Sequence, residues 1–192
     1  MSLVLASASP RRQELLAMLR PNFECLPSDI DESISAGESA SDYVHRMAVE
    51  KAQACPIQDA VVVAADTSVV LDEQILGKPA NTDHARTLLR NLSGRTHRVL
   101  TSVAVRRGKI CRSVTVETEV DFVSLSDDLI ACYLLTDEPW DKAGAYGIQG
   151  FAGSFVSAIR GSYSSVVGLP LVETRELLAD FGLAPMWPTH HA

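Results

Sequence analysis

At 192 residues, with 46% hydrophobic and 21% charged side chains, the chain can bury one sizeable core and has the composition of a globular domain. Its formal charge of -7, without a basic stripe interleaved with aromatics, argues against non-specific nucleic-acid binding and suits a small phosphorylated ligand at a local basic site. The four cysteines have no C-x-x-C spacing and no histidine at ligand spacing, so a disulfide frame and a zinc site are both disfavoured. No signal peptide is recognisable and no apolar run reaches membrane-spanning length, so a cytoplasmic protein with no membrane partner is expected.

Residues 3–5 are a short apolar run, a buried strand by length. Ser9 suits a helix N-cap and Pro10 the first helical position, which predicts a helix over residues 10–19 with Leu15, Leu16 and Leu19 inward. Arg11 and Arg12 then fall in the first turn, where the helix dipole disfavours cations. Two readings stand. The arginines splay into water, or they combine with Ser7, Ser9 and free backbone N–H groups into an anion site, above all for phosphate. A Walker A loop is excluded, because its glycines and Gly-Lys-Ser/Thr ending are missing. Residues 23–26 read as a short strand and 27–32 as an acidic turn, where Asp29 and Asp31 suit simple solvation and Glu32 could face the arginines or a divalent cation. A second helix, capped within residues 39–41, runs to about residue 54. Its stripe Val44, Met47, Ala48 continues at i+7 with Lys51, whose stem either snorkels to the edge or aims its ammonium into a cleft.

Residues 60–65 are apolar on both faces, the pattern of a central strand in a covered sheet, and lead to Asp66-Thr67 at the expected strand end. Residues 68–71 continue as strand, Asp72-Glu73 turns, and 74–76 return as a hairpin. Lys78 precedes Pro79 and so stands on extended backbone, solvated or functional. Thr82 is expected to cap a third helix that carries Leu88, Leu89 and Leu92 and closes at Gly94. Residues 96–105 and 111–123 alternate as two long strands, and the basic tip between them reads as a solvated hairpin end. Ser126 is expected to cap a fourth helix with Leu129, Ile130 and Tyr133 inward. In residues 141–150, small residues and glycines mark backbone that passes close to another segment or a ligand. Residues 155–159 suggest a strand, and 166–170 a lead into a last helix from 171 to about 181. The expected organisation is one α/β domain over residues 1–184, a mixed twisted sheet with flanking helices, followed by a flexible tail over 185–192.

The polar residues left unexplained are Ser7, Arg11, Arg12, Lys51, Asp66, Lys78 and Gln149. Four cations around one carboxylate fit phosphoanhydride cleavage: the cations neutralise the polyphosphate and its leaving group, and the carboxylate orients and deprotonates a water. A divalent cation held by few carboxylates would assist. Gln149 carries both a donor and an acceptor, as the edge of a nucleobase does.

The segments Leu5-Ala6-Ser7-Ala8-Ser9-Pro10-Arg11-Arg12-Gln13-Glu14-Leu15-Leu16, Ala65-Asp66-Thr67, Gly77-Lys78-Pro79 and Asp141-Lys142-Ala143-Gly144-Ala145-Tyr146-Gly147-Ile148-Gln149-Gly150 together resemble the Maf family of nucleoside triphosphate pyrophosphatases, in order and at the expected spacings. The resemblance implies an elongated, two-lobed Maf/ITPase-like fold with a central cleft, often as a homodimer. It also implies hydrolysis of a nucleoside triphosphate to monophosphate and pyrophosphate with Mg²⁺ or Mn²⁺. By the same resemblance Asp66 is the proton acceptor, and Ser7, Arg11, Arg12, Glu32, Lys51 and Lys78 are polar cleft residues, with no metal ligand assigned. Arg12, Thr67 and Gln149 match the set carried by members acting on dTTP and UTP. The 7-methyl-GTP branch has tryptophan and a carboxylate where this chain has Arg12 and Gln149, as suits a cationic purine. The expected role is housekeeping of dTTP, UTP and modified pyrimidine nucleotides. The alternatives are a 7-methyl-GTP-type pyrophosphatase or a regulatory binding protein of septum formation.

Overall fold

The chain's most continuous apolar stretch becomes the centre of its sheet. In the computed structural model, which describes residues 1–187, strand β3 spans Val61–Leu71 and every position but half-buried Thr67 is buried. Such burial requires cover on both faces. Helix α2 (Ala40–Ala54) covers one face, and helices α1 (Pro10–Leu19) and α6 (Leu171–Asp180) cover the other. Beyond the middle of β3, helices α3 (Thr82–Leu92) and α4 (Asp127–Tyr133) build a separate core around Leu89, Leu92, Ile130 and Phe155. Four buried clusters thus share one sheet, the expected mixed α/β architecture in two lobes.

The remaining strands are β1 (Leu3–Leu5), β2 (Glu24–Cys25), β4 (Gln74–Leu76), β5 (Thr96–Arg107), β6 (Ile110–Phe122) and β7 (Val156–Arg160). Their order is β2-β1-β3-β5-β6-β7, with β4 also on β3. The β1 pairings are parallel and the others antiparallel. One edge of β3 is taken along most of its length by β5. The other edge carries β1 opposite residues 61–63 and β4 opposite residues 69–71. Residues 64–68 therefore have no strand on that edge among the described residues, and this gap at mid-strand positions the site. Asp66 lies within a continuous β3 and not at a strand end, because the antiparallel hairpin carries the strand on past it.

Local chemistry explains most helix starts. Ser9 accepts from the Arg12 N–H, Ser39 from Asp42 and Ser126 from Leu129. The cap of α3 is Asn81, whose Oδ1 accepts from the His84 N–H at 2.9 Å, and not Thr82. In α4, Ile130 and Tyr133 point inward at i, i+3, while Leu129 is 41% exposed, since adjacent helical residues cannot share one face. Residues 163–167, where the sequence suggested no separate element and only a lead into the last helix from 166, form helix α5 (Tyr163–Val167), capped by Ser162 and ended by Gly168 at φ 128°. Phe155 closes a 3₁₀ turn (Phe151–Phe155) before β7 begins. The expected tail from residue 185 is in contact with α1 at its start: the Met186 N–H donates to Leu19 O at 2.8 Å and the Trp187 indole to Met18 O at 2.9 Å. The last carbonyls of a helix have no intrahelical donor, so α1 offers acceptors there. His190, His191 and the rest of 188–192 lie outside the described residues. Among those described, no helix is long and apolar enough to cross a membrane.

Candidate active site

A cleft of about 980 Å³ opens over the gap in β3, and all nine residues expected at the site line it: Ser7, Arg11, Arg12, Glu32, Lys51, Asp66, Thr67, Lys78 and Gln149. Alternation along β3 divides them, because successive side chains of a strand point to opposite faces.

On the α2 face, Asp66 Oδ1 accepts from Lys51 Nζ at 2.7 Å, and the same ammonium stands 2.7 Å from Glu32 Oε1. Lys51 is only 9% exposed, so its position on the buried stripe is explained by the carboxylates it joins. The Tyr43 hydroxyl donates to the Glu32 carbonyl at 3.0 Å. Arg46 donates to Glu38 at 2.6 and 2.7 Å and to the Ser33 carbonyl at 2.9 Å, which fastens the irregular residues 26–39 over α2. Burial alone would raise the Glu32 carboxyl, but the Lys51 hydrogen bond and charge, with Lys78 and Arg12 beyond, hold it below the usual carboxylate value. Burial, reinforced by the charges of Asp66 and Glu32, pushes the Tyr43 phenol up to about 12.

On the opposite face Arg12 is held at three points. Nε donates to Gly168 O at 3.0 Å, Nη1 to Ser7 Oγ at 3.4 Å and Nη2 to Thr67 Oγ1 at 3.2 Å. Thr101, opposite Thr67 in the β3–β5 register, donates to the Ser165 carbonyl at 2.8 Å, and its Oγ1 stands 3.0 Å from Thr67 Oγ1. A hydroxyl has one proton, so the chain is polarised: Arg12 donates to Thr67, Thr67 to Thr101, and Thr101 to Ser165. Gly168 adopts φ 128°, where side chains are strained, and its backbone lies directly under the guanidinium. Desolvation lowers the Arg12 pKa, and the nearby charge of Asp66 opposes that shift.

At the mouth, Arg11 Nη1 pairs with Asp141 Oδ2 at 3.1 Å, and Lys142 Nζ with Asp141 Oδ1 at 2.6 Å. Lys78 and Gln149 are exposed on the lining, and neither makes a hydrogen bond among the described residues. The chemistry this permits is definite. A carboxylate is oriented by an ammonium, cations line both faces and the mouth, and neutral polar groups gather on the Arg12 side.

Four contributors were not foreseen. Tyr43 is on the same stripe as Met47 and Lys51, at steps of four, and the periodicity could have revealed it. Asp141 stands in a motif already noted but without a role. Thr101 and Gly168 act through pairings that no local pattern announces.

Residues 2–181 match the family model described as Maf-like protein. The chain is 53% identical over 186 residues to the Hahella chejuensis protein named dTTP/UTP pyrophosphatase, covering 94% of this chain and 92% of that protein. Proteins of the same name from Shewanella denitrificans and Escherichia coli K12 are 54% and 52% identical, over 93% and 94% of this chain and 96% and 93% of their own lengths. The structure of the Staphylococcus aureus Ham1 protein aligns over 64% of this chain and 72% of its own, with a TM-score of 0.45 and 12% identity. With a family model matched along nearly its whole length and near-full-length relatives above half identity, the chain belongs to the Maf family.

Proposed function

We propose that this chain hydrolyses dTTP and UTP at the α–β phosphoanhydride, releasing the monophosphate and pyrophosphate, as a housekeeping enzyme of the nucleotide pool. The observation that carries the reading is the Asp66–Lys51 pair in a cleft whose Arg12, Thr67 and Gln149 match the pyrimidine set, and the names of the relatives agree. Asp66 is the group we assign to accept a proton from the attacking water. Lys51 occupies Oδ1 and keeps the carboxylate turned toward the cleft, while Oδ2 has no hydrogen bond among the described residues. Arg11 and Lys78 suit the charge that grows on the departing pyrophosphate, and Ser7 can donate to a phosphoryl oxygen. Arg12, Thr67 and Gln149 are neutral or donor-rich toward the base, which suits the imide edge of uracil or thymine. An arginine and an amide, where the 7-methyl-GTP branch has tryptophan and a carboxylate, favour this reading over that alternative.

Mg²⁺ or Mn²⁺ fits the donor set. Glu32 and Asp66 converge on one ammonium, and two carboxylates beside a triphosphate are the usual protein share of such a site. These two would hold the ion, which would neutralise phosphate charge when bound. The family resemblance supports a cytoplasmic homodimer, and light scattering at two concentrations tests the assembly.

A panel of nucleoside triphosphates assayed with and without inorganic pyrophosphatase tests the reaction. Pyrophosphate is expected from dTTP and UTP ahead of purine nucleotides; orthophosphate without the coupling enzyme would overturn the reaction, and 7-methyl-GTP as best substrate would overturn the specificity. In the same assay Asp66→Asn is expected to lower turnover by about 10²-fold or more, the scale of general-base loss, and unchanged turnover removes Asp66 from that role.

A further inference from the structure

Gln149 is exposed, stands between Gly147 and Gly150, and is hydrogen-bonded to nothing among the described residues. Its side chain is therefore aimed only as well as its backbone is held. Two side chains hold that backbone. Glu138 Oε2 accepts from the Phe151 N–H at 2.7 Å, and Oε1 from the Ala152 N–H at 3.1 Å and the Tyr133 hydroxyl at 3.0 Å. The carboxylate fills the space over Gly150, where a Cβ would overlap Oε2. From the other side the stem of Lys142 runs against Gly147, whose Cβ would come 2.7 Å from Lys142 Cε. The Lys142 ammonium donates back to the Glu138 carbonyl at 2.7 Å. Residues 138–152 are thus closed on themselves, and Gln149 lies between the two straps.

We infer that Glu138 is a positioning residue for base recognition: by binding the amides just beyond Gln149, its carboxylate presents the Gln149 amide to the base edge in one orientation. The inference rests on the dTTP/UTP reading. Glycine at 150 is part of the same device, since any larger residue would displace the carboxylate. The three donors on Glu138 are two backbone amides and a buried phenol, and burial with the Glu138 charge raises the Tyr133 pKa, which keeps that phenol a donor.

The test compares kcat and KM for dTTP, UTP, dCTP and dATP in the wild type, Glu138→Ala, Glu138→Gln, Gln149→Ala and the double variant Glu138→Ala/Gln149→Ala. In Glu138→Ala, KM for dTTP and UTP is expected to rise about tenfold with kcat changed by less than about threefold, the scale of losing the hydrogen bonding of a misaimed Gln149 amide to the base. The preference for dTTP over dCTP should fall toward that of Gln149→Ala, and the double variant should be no worse than Gln149→Ala alone. Glu138→Gln keeps one acceptor oxygen and should fall between. A purely structural role would lower kcat for all four nucleotides alike and leave the preference intact. An unchanged preference in both Glu138 variants, or additive losses in the double variant, overturns the inference. If Glu138→Ala does not fold, Gly150→Ala, which places a methyl at Oε2, decides by the same preference ratio. A wild type without preference for dTTP and UTP overturns the functional reading together with the inference, whereas a selective wild type with equally selective variants overturns the inference alone.

Discussion

Arg12 spends three of its five N–H donors on Gly168, Ser7 and Thr67, which leaves two for a ligand in a fixed plane. A lysine would keep a charge but could not span three acceptors, so Arg12→Lys should lower kcat/KM for dTTP about tenfold or more and flatten the preference over dCTP. Steady-state kinetics on the two nucleotides check this; retained preference would mean that charge alone suffices. Arg12 was legible as an anomaly, a cation in the first turn of a helix, but its partners were not. Lys51 was legible in the same way, as a charge on an apolar stripe, and the stripe itself placed it beneath the sheet. What the anomaly could not supply was the identity of both carboxylates, because Asp66 arrives from a strand 15 residues on and Glu32 from an irregular segment.

At the level of elements, the segment carrying Gln149 is also fixed from beneath. His97 on β5 is buried, with Nε2 2.7 Å from the Tyr146 hydroxyl, edge-on to Tyr146 and Phe122, and its Nδ1 has no partner among the described residues. Burial pulls its pKa down to about 4, against an ordinary 6.5. The unfolded chain therefore binds a proton between pH 6.5 and 4 that the native state does not, and stability, intact above pH 6.5, is lost progressively as pH falls toward 4. The limiting loss is roughly 3 kcal/mol. Urea unfolding of the wild type and His97→Gln from pH 4 to 7 should give a steeper dependence for the wild type, and parallel curves would contradict the assignment. Elements defined by local rules matched their expected spans closely. Helix α1 has the expected bounds because Ser9, Pro10 and Arg20-Pro21 act within a few residues. Helix α5 was missed because two valines in five residues carry little helical signal, and its place is decided by packing, with the Ser165 carbonyl held by Thr101.

Across the whole molecule, the core under α1 and α6 meets the core under α3 and α4 at the mid-point of β3 and β5, and the cleft lies at that junction. A ligand there would touch the β1–α1 turn and the start of α1 on one side and the hairpin and residues 141–150 on the other, so binding should stabilise both lobes together. With Asp66→Asn, which turns substrate over slowly, dTTP at a hundredfold its Kd should add about 2.7 kcal/mol and raise Tm by about 5–10 °C. A thermal scan over dTTP concentration measures this, and no shift at saturation would contradict binding across the junction. By itself the sequence determined most of the helices and strands, the covered central strand and the residue types that meet a triphosphate, because periodicity, caps and turns act over neighbouring residues. Tertiary structure alone decided that β1 and β4 share one edge of β3 and leave a gap at Asp66, that Thr101 falls opposite Thr67, and that Asp141 meets Arg11 across 130 residues. Strand order and register are set by which apolar faces find cover from distant segments, and a local pattern contains no record of that choice.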